Sequence, residues 1–446
     1  CIRDSFQVAG NSYPSGSFVV RSDQAFRAHV LDMFEPQQHP NDFAYPGAPP
    51  TAPYDNAGWT LALQMGVEFD RILDDFNGPF ERIDAFALDP EPATLAGASS
   101  ASGYLVDGRA NDGFVLVNRA LAEGVQVYKL TDATTAAGTD FPAGSFYFEG
   151  SGARDVLTAG ARDTGVPVVG VGARPGGEAL VLRPLRIGLW DQYGGSMPSG
   201  WTRFVLDQFE FDYEVVFPPE LDSEPLSDRF DVLLFPDGAV PGADAGGDRG
   251  RRSLPDDFAE TIPSELRGRL GSVSAGTTVP RILEFIEDGG TVIAIGSSTN
   301  LAYHADLPVS NWLVGDDGRP LDREEYFTPG SVHDLKVEHG SPVTLGLGDR
   351  VNALHSHSPV FRVEDDDRVR ILAWYDSATP LRSGWAWGQE HLEGGAAMLE
   401  ARLGEGTLYL FGPKVTFRGQ SHGTFPLVFN GMFTGTAETV RLDGIS

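Results

Sequence analysis

The sequence of 446 residues nearly lacks cysteine and lysine. Its single cysteine, Cys1, excludes an internal disulfide framework and any metal site built from thiolates. Lysine occurs only as Lys129, Lys336 and Lys414, so arginine carries nearly all of the positive charge. No apolar run approaches the roughly 18 residues that a membrane-spanning helix requires, and no signal-peptide pattern stands at the start. We therefore expect no membrane insertion.

Positive charge is scarce relative to negative charge. The sequence has 33 Lys and Arg against 63 Asp and Glu, and 33 − 63 gives a formal charge of −30. Charge of this sign repels the phosphate backbone of nucleic acids and anionic membrane surfaces. The composition therefore argues against nucleic acid as a partner, and it favours a saline or exported (periplasmic or extracellular) setting.

A starting methionine is missing as well. The sequence opens with Cys1-Ile2-Arg3. A mature lipoprotein would also begin with cysteine, but Ile2-Arg3 is an unusual continuation of one. We expect a processed product or, in preference, a piece of a longer polypeptide.

The hydrophobic pattern divides the chain into three predicted regions. Residues 1–100 are irregular and rich in proline between positions 36 and 56, so we predict a linker or tail region. Residues 101–182 alternate strand and helix patterns and are predicted as a small α/β region. Residues 183–446 contain a second βα series, with a β-rich part at about 326–405.

This alternation predicts the fold class. The second series runs from a strand at 185–190 through a helix at 201–209 to strands at 213–217, 230–235 and 291–295. Strands separated by helices favour right-handed crossovers and a parallel sheet. We predict an α/β protein, with parallel strands in both βα series.

Two common catalytic patterns are absent or incomplete. None of the nine histidines has a glutamate three residues on, so the zinc motif His-x-x-Glu is missing. His355 and His357 could lie on one side of a strand and grip a metal, but no third ligand can be nominated, so exposed or loop-stabilising histidines are preferred. Residues 419–423 match Gly-x-Ser-x-Gly, yet no histidine follows His422. We expect Ser421 or Thr424 to cap a helix at 425–433 instead.

The strongest local feature is the glycine-rich loop of residues 191–203. It joins the first strand and the first helix of the second series, at the carboxyl edge where α/β proteins bind ligands. One interpretation is an ordered loop that packs Trp190 and Trp201 between domains, and this one is preferred. In the other, four side chains converge on a small molecule: Asp191, Tyr193, Ser196 and Arg203.

Two further residues belong to the same predicted edge. Asp237 follows the strand at 230–235, and Ser298 follows the strand at 291–295. A shared pocket with the glycine-rich loop would make the chain an independent hydrolase or a small-ligand-binding module. A phosphate-binding P-loop is excluded because Gly-Lys-Ser/Thr is absent.

Several phrases carry a family resemblance that extends over nearly the whole chain. They are PYDNAGWTLALQMGV, LRIGLWDQYGGSMPSGWTRFVLDQFEF, FDVLLFPDG, TPLRSGWAWG and LYLFGPKVTFRGQSHGTFPLVFNG. The chain resembles the C-terminal half of large bacterial M14-family zinc carboxypeptidase-like proteins. The resemblance implies an upstream peptidase domain as partner, zinc in that domain only, and a three-layer α/β domain similar to class I glutamine amidotransferases.

The sequence departs from both sets of catalytic residues. No M14 role can be transferred, because His-x-x-Glu is absent from this chain. The amidotransferases place a cysteine on a strand-to-helix elbow and a His-x-Glu pair near the last strand. Here Ser298 stands where the cysteine would be, with Gly412 and Lys414 at the places of the histidine and the glutamate. We therefore expect no catalytic residue, no cofactor and no metal in this chain.

Three functions are compatible with these observations. The first is a non-catalytic accessory region, structural or ligand-binding, of an M14-like carboxypeptidase acting in proteolysis. The second is an independent hydrolase or small-ligand-binding module that uses residues 191–203. The third is a carbohydrate- or peptide-binding module, favoured by tryptophan and tyrosine in the pocket loops.

Overall fold

The computed structural model describes residues 4–55, 57–83, 93–97, 101–223, 225–243, 258–364 and 366–442. Cys1, on which the prediction of a processed or truncated start rests, lies outside these residues, as do residues 98–100 at the first predicted boundary. Within the described residues, no helix is both long and apolar enough to span a membrane.

The protein consists of short strands and helices in the following order. The strands are β1 (Phe6–Val8), β2 (Asn11–Tyr13), β3 (Asp42–Phe43), β4 (Pro50–Thr51), β5 (Leu95–Gly97), β6 (Gly103–Val106), β7 (Gln126–Leu130), β8 (Thr134–Ala136), β9 (Thr139–Phe141), β10 (Phe146–Glu149), β11 (Val168–Val171), β12 (Gly177–Leu182), β13 (Ile187–Trp190), β14 (Glu214–Val216), β15 (Val232–Phe235), β16 (Thr291–Ile295), β17 (Val309–Asn311), β18 (Ser331–Val337), β19 (Arg350–His355), β20 (Phe361–Val363), β21 (Val369–Trp374), β22 (Leu381–Ser383), β23 (Ala396–Leu403), β24 (Gly406–Phe411) and β25 (Glu438–Leu442). The helices are α1 (Arg27–Phe34), α2 (Leu61–Gln64), α3 (Gly113–Ala122), α4 (Ala153–Thr164), α5 (Met197–Gln208), α6 (Pro218–Leu221), α7 (Leu226–Arg229), α8 (Thr278–Glu287), α9 (Leu301–His304) and α10 (Phe425–Thr434).

The first sheet has seven strands in the order β25-β12-β7-β10-β6-β11-β5. The prediction of a parallel sheet is wrong here. Helix α3 connects β6 to β7, but β10 lies between these two strands and is antiparallel to both. Helix α4 likewise connects β10 to β11 across β6. These are split βαβ units, in which each crossover spans one inserted strand, so neighbouring strands become antiparallel.

The second sheet confirms the parallel prediction for the second βα series. Strands β14, β13, β15, β16 and β24 are parallel neighbours in that order. From β24 the sheet continues antiparallel through β23, β21, β18 and β19. The antiparallel strands come mostly from the stretch predicted to be rich in β structure.

Helices cover both faces of this sheet, which confirms the three-layer arrangement. Because side chains alternate along a strand, Val292 and Ala294 of β16 enter one core with α8, while Ile293 and Ile295 enter the other with α5 and α10. The second core continues into the first sheet, where the Phe114 ring of α3 lies 5.1 Å from that of Phe429 in α10. The two sheets therefore share one apolar core.

The predicted linker region packs against the second sheet at several points. The hydroxyl groups of Thr60 and Ser383 are 2.8 Å apart, and the Ser383 hydroxyl also accepts the backbone N–H of Gln37. The Trp385 indole donates to the Asn41 side chain at 2.8 Å. These bonds join residues more than three hundred positions apart, so this part of the region is held to the sheet.

Candidate functional site

The glycine-rich loop is organised by Asp191. Its Oδ1 accepts the backbone N–H groups of Gln192 and Ser196, each at 2.8 Å. Gly194 and Gly195 have φ angles of +86° and +82°, which favour glycine and let the chain turn between these bonds. Ser196 then caps α5 by accepting an N–H from the first turn, so the helix begins earlier than predicted.

The four predicted loop residues are only partly brought together. The Arg203 guanidinium lies 3.9 Å from Asp191 Oδ2, and Asp191 also holds Ser196. Tyr193 lies half-buried in the turn between them. Trp190 is buried, and Trp201 is half-buried. The loop is therefore ordered mainly by its own hydrogen bonds.

Asp237 joins a polar cluster after β15. Its Oδ1 accepts both the backbone N–H and the hydroxyl of Ser297, each at 2.8 Å, while Oδ2 lies 3.0 Å from the Lys414 ammonium. The Ser297 hydroxyl in turn accepts the Gly238 N–H at 3.0 Å. Burial opposes ionisation of Asp237, but these N–H and ammonium groups outweigh it and hold its pKa below the usual range. Asp237 is therefore an ionised acceptor.

The strand-to-helix turn after β16 is made by Gly296. Its φ of +61° marks it as the residue in the strained elbow conformation, two positions before Ser298. A Cβ atom at Gly296 would lie only 2.5 Å from Asp237 Oδ1. The space in which an elbow side chain would project is thus occupied by Asp237, which is paired with Lys414.

Ser298 is unsuited to the predicted ligand role. It is buried, and its hydroxyl donates to the Pro236 carbonyl at 2.5 Å. The same oxygen accepts the N–H groups of Ala239 and Val240 at 2.9 and 3.3 Å. All of these partners are backbone groups, so Ser298 fixes the loop after β15, and no side-chain base among the described residues is bonded to it.

The position of the amidotransferase histidine is closed too. A Cβ atom on Gly412 would lie 2.2 Å from the Pro359 carbonyl oxygen and 2.9 Å from that of Ala397. Neither oxygen can move without shifting the backbone of a neighbouring segment. No side chain can therefore stand at Gly412 in this fold.

The histidine pair does not form the metal site that was considered. His355 is buried, and its two ring nitrogens lie 2.6 Å from the Tyr375 hydroxyl and 2.8 Å from that of Tyr326. His357 lies beyond the end of β19, exposed and with a φ of +49°. In the described part of the chain, no three His, Cys, Asp or Glu side chains are grouped to hold a metal ion. His355 and His357 therefore do not fit a zinc site.

The serine motif at residues 419–423 has a packing role. Ser421 is buried and donates to Gln64 Oε1 at 3.2 Å. The Thr424 hydroxyl donates to the carbonyl of Val415 at 2.8 Å. Thr424 occupies the N-cap position of α10, as one of the two predicted alternatives required, but its hydroxyl does not bond to the first turn of the helix. It donates instead to the carbonyls of Val415 and Ser421, which precede the helix.

A cationic group, made of Arg323 with Phe327 and His357, was not predicted from the sequence. The Arg323 guanidinium lies 4.0 Å from the centre of the Phe327 ring, and the His357 ring lies 5.3 Å from the same centre. Burial, then the charges of Lys414 and Arg323, lower the pKa of His357. Among the charged residues near His357, the sequence had drawn attention only to Lys414, one of three lysines in the chain.

Substituting Gly296 by alanine tests the closed elbow. We expect Gly296→Ala to reduce the free energy of unfolding by about 3 kcal/mol, from left-handed strain plus the contact with Asp237. The control is Gly195→Ala, since Gly195 also has a positive φ but has nothing within 4 Å of the place where an alanine methyl group would lie. It should lose only about 1 kcal/mol in chemical denaturation. Equal losses would mean that Asp237 does not fill the elbow.

No protein-family model matches the sequence, and no curated protein matches it. Among solved structures, the chain is similar to a β-galactosidase from Bacillus circulans, with 12% identity and a TM-score of 0.33 over 56% of this chain and 31% of that one. It is also similar to a putative GMP synthase component from Thermoplasma acidophilum, with 14% identity, a TM-score of 0.32 and coverage of 56% and 92%. For a glutamine amidotransferase from Thermotoga maritima the values are 9%, 0.33, 56% and 98%. The chain spans about a third of the first of these proteins, and 34% of a second β-galactosidase, from Rahnella.

Proposed function

We propose that this chain is a non-catalytic accessory region of a larger M14-like zinc carboxypeptidase-like protein, in which it has a structural or ligand-binding role. The resemblance of the phrases at 53–67 and 185–211 supports the choice of parent. The upstream peptidase domain would then be the partner and the place of the zinc. The acid-rich composition supports an exported setting.

One observation carries the non-catalytic assignment. The side chain of Asp237, which is paired with Lys414, fills the space above Gly296, where an elbow nucleophile would project. Catalysis by acyl transfer needs a nucleophile and a base within hydrogen-bond reach of each other. Ser297 carries a hydroxyl beside Asp237, but that hydroxyl donates to an ionised carboxylate of lowered pKa, which is a poor proton acceptor.

The second candidate is an independent ligand-binding module. The half-exposed Arg203 favours it, because its guanidinium makes only a long contact of 3.9 Å with Asp191 and is accessible to a polar ligand from solvent. The hydrolase form of this candidate has less support, since the partners of Ser298 in the described part of the chain are all backbone groups.

The test uses the 446-residue chain itself. We expect no stoichiometric zinc by elemental analysis, no hydrolysis of blocked dipeptides and no release of ammonia from glutamine. Stoichiometric zinc together with peptide hydrolysis would overturn the non-catalytic assignment. The encoded sequence before Cys1 tests the parent separately, because a peptidase of this family needs His-x-x-Glu there.

A further inference from the structure

An aromatic groove lies on the surface formed by the N-terminal region and the β-rich part. Residues 43–48 and Trp387 line an open space of about 690 Å³. The rings of Phe43 and Trp387 are 6.1 Å apart at 73°, and the side chain of Tyr45 is 65% exposed. The Trp387 indole donates to the Glu324 carbonyl at 2.6 Å, which fixes the orientation of its ring. The groove therefore offers an ordered aromatic wall to solvent.

The cationic group described above adjoins this groove. Trp387 and Phe327 exchange two backbone hydrogen bonds, each of 3.0 Å, so they are directly opposed. Phe327 carries Arg323 on its ring face and His357 at its edge. Because the Trp387 indole also donates to the carbonyl of Glu324, the residue next to Arg323, the arginine belongs to the segment that borders the groove.

Arg323 is unusual for a protein with a formal charge of −30. Within the described ranges, no carboxylate is recorded within ion-pairing distance of its guanidinium, which lies over the ring of Phe327. Most of its acidic neighbours are exposed, and Asp322 Oδ1 is already engaged by the N–H groups of Glu324 and Glu325. An ordered arginine without a carboxylate partner, set beside an aromatic groove, is complementary to an anion that carries an apolar ring.

We propose that this groove binds a small aromatic carboxylate, with the ring against Phe43 and Trp387 and the carboxylate at Arg323. Apolar area drives burial of the ring, and the guanidinium supplies the charge selection. Binding is expected to be weak, with a dissociation constant on the order of 1 mM, because the groove is open and small ligands gain little there. The inference goes beyond the non-catalytic role and does not require the peptidase parent.

The experiment compares N-acetyl-phenylalanine with its neutral amide. Both are titrated into the intact chain at low ionic strength while the NMR signals of the indole N–H groups are followed. We expect the acid to shift the Trp387 signal and to bind about fivefold more tightly than the amide, as one exposed ion pair allows. Replacing Arg323 by glutamine should abolish that difference, and Phe43→Leu should weaken both ligands.

The matched control is Arg319→Gln. Arg319 is an exposed arginine of the same segment and lies 3.7 Å from Asp317. The Arg319→Gln variant should keep the preference for the acid over the amide. The NMR spectrum of each variant reports whether that variant is folded. Equal affinity for acid and amide, the same loss in both arginine variants, or no shift at about 10 mM ligand would overturn the proposal. These outcomes involve neither zinc nor hydrolysis, so they leave the proposed function standing.

Discussion

Replacing Lys129 by methionine is expected to stabilise the protein by about 2 kcal/mol at neutral pH. Lys129 is 1% exposed, and its ammonium makes a single hydrogen bond of 3.0 Å, to the carbonyl of Gly144. The rings of Phe146 and Phe114 lie 4.3 and 5.2 Å away and compensate only part of the lost hydration. Burial lowers the pKa of Lys129 to about 7. Methionine has a similar length and needs no hydration.

The size of this effect follows from the pKa shift. A fall from 10.5 to about 7 corresponds to roughly 4 kcal/mol of lost stability when the folded and unfolded states are compared at neutral pH. Loss of the hydrogen bond to Gly144 reduces the gain from the substitution by about 1 kcal/mol, and imperfect packing of the thioether reduces it by a similar amount. A net gain of about 2 kcal/mol remains.

The pH dependence distinguishes this mechanism from better packing. The folded pKa of Lys129 lies below the unfolded value, so the unfolded state binds more protons between about pH 7 and pH 10. The natural protein should therefore gain stability as pH rises through that window, and Lys129→Met should gain less. Urea denaturation at several pH values measures both. Lys336→Met is the control, because Lys336 is exposed. A less stable Lys129→Met variant would contradict the argument.

The burial of Lys129 shows where sequence reasoning reaches its limit. Residues 101–182 were predicted to alternate strands and helices, and β7 covers Gln126–Leu130 within them. Lysine usually stays exposed, and nothing local to β7 signals otherwise. The burial comes from Phe114 of α3 and Phe146 of β10, which cover the ammonium. Contacts of this kind depend on which strands become neighbours.

Strand order also explains why the parallel prediction was correct for the second sheet and wrong for the first. In the second sheet each βα unit places its strand beside an earlier parallel strand, so local alternation was sufficient to predict it. In the first sheet β10 enters between β6 and β7. Periodicity identifies the strands but carries no information about such an insertion.

The candidate site was predictable in position but not in detail. Asp237 was expected at the carboxyl edge of the sheet, and it lies there. Its partners Ser297 and Lys414 come from other strand ends and could not be inferred from spacing. Ser298 was placed on the elbow by counting from β16, whereas the positive φ belongs to Gly296. Backbone conformation at one residue decided that difference.

A buried histidine cluster underlies the second large effect. The rings of His333 and His355 stack with centres 5.1 Å apart in the antiparallel part of the second sheet. His355 is bonded to Tyr375 and Tyr326, and the Ser331 hydroxyl lies 2.8 Å from His333 Nε2. Burial lowers the pKa of His333 to about 3 and lowers that of His355 as well. Both imidazoles are therefore neutral in the folded protein at moderate pH.

Acidification is expected to unfold the protein through this cluster. Both folded pKa values lie below the unfolded value of 6.5, so below that pH the unfolded state takes up protons that the folded state refuses. For His333 alone the loss is about 3 kcal/mol at about pH 4.5, and His355 adds to it. Protonation of carboxylates also reduces the size of the negative charge of −30, and the weaker self-repulsion opposes this loss of stability. Because those charges are exposed and screened, we expect the effect of the buried histidines to be larger.

The variant His333→Phe isolates this term because a ring of similar shape replaces the titrating one. It should be about 1 kcal/mol less stable at neutral pH, since the buried Ser331 hydroxyl loses its partner. Its loss of stability between about pH 6 and pH 4.5 should nevertheless be smaller than that of the natural protein by about 2 kcal/mol. His29→Gln, which changes an exposed histidine, should keep the natural slope. Surface charge is nearly the same in all three proteins, so parallel slopes would show that carboxylates, and not the buried imidazoles, set the acid limit.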